Sequence, residues 1–523
     1  MNVWFTRLVA AGAVVLASWP AVAGIKDGTL TVALDSPVEA VDIYMGPGAE
    51  TAMTTSAVFN PLVAYDAKAK TYVGVIAKSW SQIDPETMEF KLEPGLTFQD
   101  GSVLDAEDVA YTINFISNPE TKFRLKSRFA FFAGAEKVDD LTVRVKTRGP
   151  YPMLMARMIG VPVYPSDKHS ALGADYASWG RAPIGSGPYK VVKFNESTGI
   201  EMERWDGYKL GPAPAFKRIV FKPLPDAQTQ IAEMMIGNID VMMAKSPDQV
   251  AALTANPRIV ATPISDMNFQ YMYLDAVGHS GLSVFKDERV RAAVFHAVDR
   301  DAIRKSIVAG GAGKTGVAHA MARLCFPFQV GCPDGGTPQA YDPAKARALL
   351  KEAGLADGFD LKVSTWGSSR PIAEAVVGYL RAVGIRASVD VLTLGAYRKK
   401  QVEGGLQALV SNYVYGGLPD TGAVVDFFFS SSDRDYFGDK RLFDLTKEAN
   451  TTLDEKKRGD LFRETLDIVE KQAFILPITT DPVVVIHSAD VKVDAATRGN
   501  ILFARFSFFE SYGKTPPMLG WAK

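Results

Sequence analysis

The stretch Ala77–Ser117, AKSWSQIDPETMEFKLEPGLTFQDGSVLDAEDVAYTINFIS, decides how the rest of the chain is read. Met88-Glu89-Phe90-Lys91-Leu92 alternates apolar and charged residues, the pattern of a half-buried strand. Pro94-Gly95 turns the chain, and Leu96 and Phe98 predict a short second strand ending at the Asp100-Gly101 turn. Asp105 and Asp108 then mark a helix start, with carboxylates facing the unpaired N–H groups of the first turn. Val109, Ile113 and Ile116 recur at helical spacing and give that helix a buried face.

Outward from this stretch, 523 residues allow two or three domains. Hydrophobic content of 47% against 22% charged supplies material for large cores. A formal net charge of −1 gives no footprint for nucleic acid or an anionic membrane. Arg7 is the only charge in the first 23 residues, Leu8–Trp19 is a short apolar run, and Ala21-Val22-Ala23 is a small-x-small site before Gly24. This predicts a signal peptide cleaved after Ala23, leaving a mature charge of −2, with the apolar run too short for a membrane span. No Cys lies near the cleavage site, so a lipid anchor is not expected.

Strands are predicted at Thr29–Leu34, Leu141–Val145, Lys190–Phe194, Ile200–Trp205 and Arg218–Phe221. Asp226 caps a helix Ala227–Ile236 that stops at Gly237. Asn268–Leu274 is a strand with alternating aromatics, followed by a long helix over Phe285–Ala309. Asp342-Pro343 starts a helix to Ala353. Strand Asp360–Ser364, helix Pro371–Ala382, strands Ala387–Leu392 and Ala408–Tyr413, helix Asp454–Lys471 and strand Val483–Ile486 complete an α/β layer with a mostly parallel sheet.

The opening stretch, with Trp80, Phe90-Lys91-Leu92, Pro94-Gly95, Phe98, Asp100-Gly101, Leu104 and Ala106-Glu107-Asp108-Val109, resembles the signature region of the family 5 solute-binding proteins, the peptide- and nickel-type receptors of ABC importers. Gly185-Ser186-Gly187-Pro188-Tyr189, Trp205-Asp206-Gly207-Tyr208, Val290–Asp301 and Tyr341–Leu350 extend the resemblance over nearly the whole mature chain. It implies an α/β, two-lobed periplasmic binding protein fold (type II, cluster C) with an extra subdomain in lobe one. The expected division is signal peptide 1–23, lobe I 24–59 and 182–276 around a subdomain 60–181, lobe II 277–490, and a return to lobe I over 491–523. A hinge is expected near Asp275–Gly281. It further implies a periplasmic, monomeric receptor that passes a peptide or peptide-like solute to an inner-membrane permease, with no cofactor and no catalysis. A non-peptide solute (an opine-like conjugate, a carbohydrate or a metal chelate) and an exported hydrolase are the alternatives.

Catalytic patterns are incomplete. Ala309–Thr315 resembles a phosphate loop, but Val308 occupies the first glycine position and the segment follows a helix. Gly278-His279-Ser280-Gly281 lacks the last glycine of a nucleophile elbow, having Leu282 there. The five histidines are scattered and form no zinc motif. Cys325 and Cys332, close together in a Pro- and Gly-rich loop of an exported chain, read as a local disulfide; a metal half-site is the rival, without a His in the loop.

Ligand contacts are expected from loops and strand ends: Tyr44 and Met45 after the first strand, Tyr271 in the aromatic strand, Trp366 as a flat wall, and Arg370 as a carboxylate partner. Dipeptide-type members of the family carry W-x-x-D before a P-D pair, and that Asp holds the peptide ammonium. Aligned on Pro419-Asp420, this chain has Asn412 and Tyr415 at those two places. Tyr415 cannot neutralise an ammonium, so either Asp420 or Asp426 substitutes through a shift of the loop, or the ligand is a modified peptide, an opine-like conjugate or a carbohydrate. Tyr413 and Tyr415 suit stacking and hydrogen bonding.

Overall fold

The computed structural model describes residues 27–46, 48–66, 69–123, 126–173, 175–211, 213–264, 267–313, 316–337, 339–414, 418–430, 435–493 and 519–521. Within the opening stretch, Ala77–Asp84 and Thr87–Leu92 pair antiparallel, and Thr142–Thr147 and Phe132–Asp139 complete a four-stranded sheet. Phe90 and Leu92 share a buried cluster with Val109, Ile113 and Ile116 of the helix Ala106–Ser117. Asp105 accepts from the Glu107 N–H, and Asp108 accepts from the Asp105 N–H at 3.0 Å, so the predicted acidic cap forms. Leu96–Phe98 is not a strand. It lies between turns at Gly95 and Gly101, both with positive φ, and makes a single bridge, Thr97 to Val103, across the second turn.

The first lobe is built on a seven-stranded sheet in the order Ile259–Ile264, Val483–Ser488, Val241–Met243, Thr29–Leu34, Arg218–Pro223, Gly199–Arg204, Tyr189–Asn195. Thr29–Leu34 runs parallel to both its neighbours, and the other pairings are antiparallel. Gly185 and Gly187 allow a close approach of backbone to backbone. A Cβ on Gly185 would sit 1.9 Å from the Val58 carbonyl oxygen, and one on Gly187 would sit 2.5 Å from the Val58 carbonyl carbon.

The second lobe carries a five-stranded sheet, Arg386–Leu392, Asp360–Trp366, Ala408–Val414, Asn268–Leu274, Ile475–Thr480. Its first three strands are parallel, and the last two enter antiparallel, so the expected mostly parallel layer holds on one side only. Two strands change lobes relative to expectation. Asn268–Leu274, assigned from sequence to the first lobe, is buried along its whole length inside the second sheet. Val483–Ser488, expected to close the second lobe, lies between two strands of the first sheet. Strands this apolar are buried on both faces, and their composition alone does not say in which sheet. The chain therefore crosses after Ile264 and again between Thr480 and Val483, not near Asp275–Gly281.

The helix expected over Phe285–Ala309 is broken into Glu288–Ala297 and Arg300–Ile307. Asp299 ends the first by capping the second, its side chain accepting from the Ala302 N–H at 2.9 Å. Cys325 and Cys332 are bonded at 2.03 Å. Val491–Val493 pairs with Leu519–Trp521, and Val491 joins the first-lobe core, while the signal segment and most of the tail lie outside the described residues.

Candidate ligand-binding cleft

The two crossings frame a cavity of about 180 Å3 lined from both lobes. Asp35 reaches it from the C-terminal end of Thr29–Leu34, and Lys245 follows the parallel strand Val241–Met243. Glu50 and Met53 come from the first turns of the helix Ala49–Val58. Gln270 enters from the second sheet and Asp481 from the return crossing. Strand ends meeting at a sheet opening are where open α/β folds hold ligands. The polar groups here hold one another in place. Lys245 and Asp35 form an ion pair, and Gln230 Nε2 donates to Asp35 at 3.0 Å. Gln270 Nε2 donates to Asp481 at 2.8 Å, while the Ser369 hydroxyl donates to Gln270 Oε1 at 2.8 Å.

A second inter-lobe surface forms around the short helix Leu154–Met158. Its Ala156 is buried in the aromatic cluster of the second lobe. A Cβ on Gly422, in the second lobe, would come within 3.1 Å of Met153 Sδ. Arg157 projects from this helix, its Nε donating to the Tyr151 hydroxyl at 3.1 Å, and the Tyr151 ring stacks on Phe131 at 4.3 Å. From the second lobe, Tyr413 donates its hydroxyl to the Ala423 carbonyl at 2.9 Å and meets Phe427 edge-on at 5.0 Å. Asp426 accepts from Asn450 Nδ2 at 2.7 Å.

Electrostatics tie the two faces together. Burial pushes the Tyr413 hydroxyl well up; Arg157 of the first lobe opposes that rise and Asp426 of its own lobe adds to it. Burial likewise raises Tyr151, with Arg157 opposing and Asp426 and Asp420 adding. Arg128 is lowered by burial and by the charge of Arg157. Its side chain is exposed.

Residues 71–436 match the bacterial extracellular solute-binding proteins, family 5 middle region. The chain belongs to that family. The glutathione-binding protein GsiB of Salmonella paratyphi A is 26% identical over 507 residues, covering 93% of this chain and 95% of its own. The substrate-binding protein CtaP of Listeria monocytogenes superposes with a TM-score of 0.80 at 20% identity, over 95% of this chain and 99% of the other. NikA of Brucella suis, solved with Fe(III)-EDTA, gives 0.79 at 23% identity, over 91% and 99%.

On this family 5 solute-binding protein the sequence candidates scatter. Tyr44 is fully buried in the first lobe, its hydroxyl on the Pro162 carbonyl and its ring edge-on to Phe129 and Tyr164, so it packs a core. Tyr271 is equally buried, edge-on to Phe428. Arg370 is exposed and paired with Glu374 one helical turn on. Asp420 is 2% exposed and held by both terminal nitrogens of Arg458, at 2.7 and 2.8 Å, with the Gly422 N–H as a third donor. Its carboxylate is already neutralised, which removes it as the substitute ammonium partner. Met45, Trp366 and Asn412 are half-buried; Trp366 donates to Ser411 Oγ at 2.9 Å and stacks on Tyr397 at 5.9 Å. Tyr415 lies outside the described residues. Sequence reading missed the polar groups that line the cavity, Asp35, Lys245, Gln270 and Asp481. The available signal was an aspartate directly after the predicted strand Thr29–Leu34.

Proposed function

We propose that this protein is the receptor of an ABC importer that shuts its lobes on a peptide or peptide-like solute and hands it unchanged to an inner-membrane permease. The observation that carries the proposal is the cavity at the double crossing, walled by strand ends of one lobe and by Gln270 of the other. Such a site opens and closes as the lobes rotate about the crossing strands. The similarity to a glutathione-binding protein along nearly the full chain supports a short peptide-like cargo. Met45, Trp366, Asn412 and Tyr413 stay as proposed contacts. Export with cleavage after Ala23, a periplasmic location and a monomeric state belong to the same proposal. The serine of Gly278–Gly281 gives its N–H to Asp275 at the edge of the second lobe, which fits a turn and not a nucleophile.

The test is a thermal-shift panel of glutathione, di- and tripeptides, opines, oligosaccharides and nickel chelates, with mass spectrometry of solutes released from the purified protein. A ligand that binds only the folded state stabilises it by RT ln(1 + [L]/Kd), about 2.7 kcal/mol at a hundredfold excess over Kd, and so raises Tm. The expected result is a shift with at least one peptide-like compound, recovered chemically intact. No shift across the panel together with an empty cleft, or conversion of the bound compound, overturns the proposal.

A further inference from the structure

The two lobes also meet at a place that the crossing strands do not explain. Cys325 and Cys332 close a loop of the second lobe with Pro327 and Phe328 at its tip. Gln329 braces that loop from within, its Oε1 accepting from the Phe326 N–H at 2.9 Å and its Nε2 donating to the Leu418 carbonyl at 3.3 Å. Val330 pairs with the segment around Asp420: its N–H donates to the Pro419 carbonyl at 2.9 Å, and its carbonyl accepts from the Thr421 N–H at 3.0 Å. The buried Asp420–Arg458 pair thus stands directly behind the loop. The tip faces the first-lobe hairpin of Val63–Asp66 and Thr71–Gly74. The Tyr65 hydroxyl donates to the Phe328 carbonyl, and Lys70 Nζ donates to the Pro327 carbonyl. Phe328 is half-buried and packs against the cores of both lobes. So does Tyr72 of the hairpin, whose ring meets Tyr65 edge-on at 5.2 Å. A contact of this kind, outside the strands about which the lobes turn, has to part when they open.

We propose that this stapled loop is a redox-sensitive latch on the shut receptor: the Cys325–Cys332 bond holds Phe328 ready for the hairpin, and its reduction speeds release of the solute. The inference rests on the receptor reading above. A tip that is already ordered docks without first losing conformational freedom. A disulfide between cysteines seven positions apart removes much of that freedom in advance. Cys325 is 5% exposed and Cys332 is half-buried, so an external dithiol attacks at the Cys332 sulfur. Its thiolate forms a mixed disulfide there, and Cys325 leaves as a thiolate. The second thiol of the reagent then displaces Cys332, and the reagent closes to a cyclic disulfide. Two electrons and two protons pass to the cysteine pair. The bonds of Gln329 and Val330 keep the reduced loop on its lobe, but its tip is no longer held stiff.

The experiment loads the immobilised full-length mature protein with a cysteine-free mixture of di- and tripeptides. Their wash-off is followed by mass spectrometry with and without a dithiol. Reduction is expected to raise the rate of loss about tenfold, on the order of half the closure entropy of so short a loop. A Cys325→Ala, Cys332→Ala double variant is expected to release like the reduced wild type. Phe328→Ala keeps the disulfide and removes the tip. It is expected to release as fast as the reduced protein and to respond to the dithiol by less than about twofold, since the two changes act on one contact. A staple that served only the stability of the second lobe would lower the melting temperature on reduction and leave wash-off unchanged. That result overturns the inference and leaves the receptor reading standing, and so does a full response to the dithiol in Phe328→Ala. Retention of no peptide by the oxidised wild type overturns both.

Discussion

Replacing Arg458 by Met separates a structural role of Asp420 from a ligand role. The guanidinium is 5% exposed and the carboxylate 2%. In the wild type Asp420 receives three donors, two from Arg458 at 2.7 and 2.8 Å and one from the Gly422 N–H at 2.7 Å. Arg458→Met leaves a buried carboxylate with one donor and also frees the Ala449 carbonyl, which now accepts from Arg458 Nε at 3.2 Å. Breaking one partner of a buried pair costs about 3–5 kcal/mol. Met keeps part of the cover that the guanidinium gives the Phe462 ring at 4.8 Å, so the lower half of that range is expected. For a unit of about 150–250 residues each kcal/mol moves Tm by about 2–4 °C, so a drop of roughly 6–15 °C follows. Asp420→Leu combined with Arg458→Met removes both charges and is expected to recover most of the loss. Differential scanning calorimetry without solute reads both numbers. An Asp420→Asn variant that melts like the wild type but no longer binds solute would refute the reasoning, because the carboxylate would then belong to the cargo.

Gly185→Ala forces a Cβ to 1.9 Å from the Val58 oxygen, so a loss of several kcal/mol, or no folded product, is expected in urea unfolding, against less than about 1 kcal/mol for an ordinary turn glycine with negative φ. Asp42 is raised from 3.8 to about 6, mainly by burial and against the bond from the Tyr164 hydroxyl. The folded state therefore binds the extra proton between those pH values, and this residue's contribution to stability falls as pH rises from about 4 to 7. Asp42→Asn removes that dependence, and its stability relative to wild type is expected to improve by about 2–3 kcal/mol over that window in pH-resolved denaturation. The stapled loop touches the first lobe through Tyr65, whose hydroxyl donates to the Phe328 carbonyl at 2.8 Å, and Lys70, which donates to the Pro327 carbonyl at 2.7 Å. Tyr65→Phe is expected to weaken solute affinity by about fivefold with little change in Tm without solute, since a net hydrogen bond of about 1 kcal/mol is lost from the shut form; titration calorimetry measures it.

Local chemistry was legible and long-range pairing was not. The cap at Asp105–Asp108, the Gly237 stop with φ of 79°, and the helix at Asp342-Pro343 each depend on neighbours within four residues, and each forms. The sheet assignments of Asn268–Leu274 and Val483–Ser488 depend on partners more than a hundred residues away in sequence, such as Val414 for Asn268 and Ile264 for Val483. Nothing inside either strand names its sheet. The break at Asp299 was readable in principle, since an aspartate with an acidic first turn after it is a cap, but the apolar period on both sides hides it.

The site failed to read for a different reason, and that reason bears on the cargo. Family pattern pointed to an acid near Asp420 because a peptide ammonium needs one. In this fold that acid is used up by Arg458. Met153 and Met158 are indeed buried, 2% and 0% exposed. Their burial fixes the helix Leu154–Met158 against the second lobe, where Ala156 joins the aromatic cluster. A side chain becomes a recognition element here through the packing of its neighbours, and the charge it presents is set by which opposite charges the core has already consumed. Asking which charges the core has already consumed is therefore a sharper guide than the motif position, since the carboxylate at the motif, Asp420, is bonded to Arg458 and is not free to meet a solute.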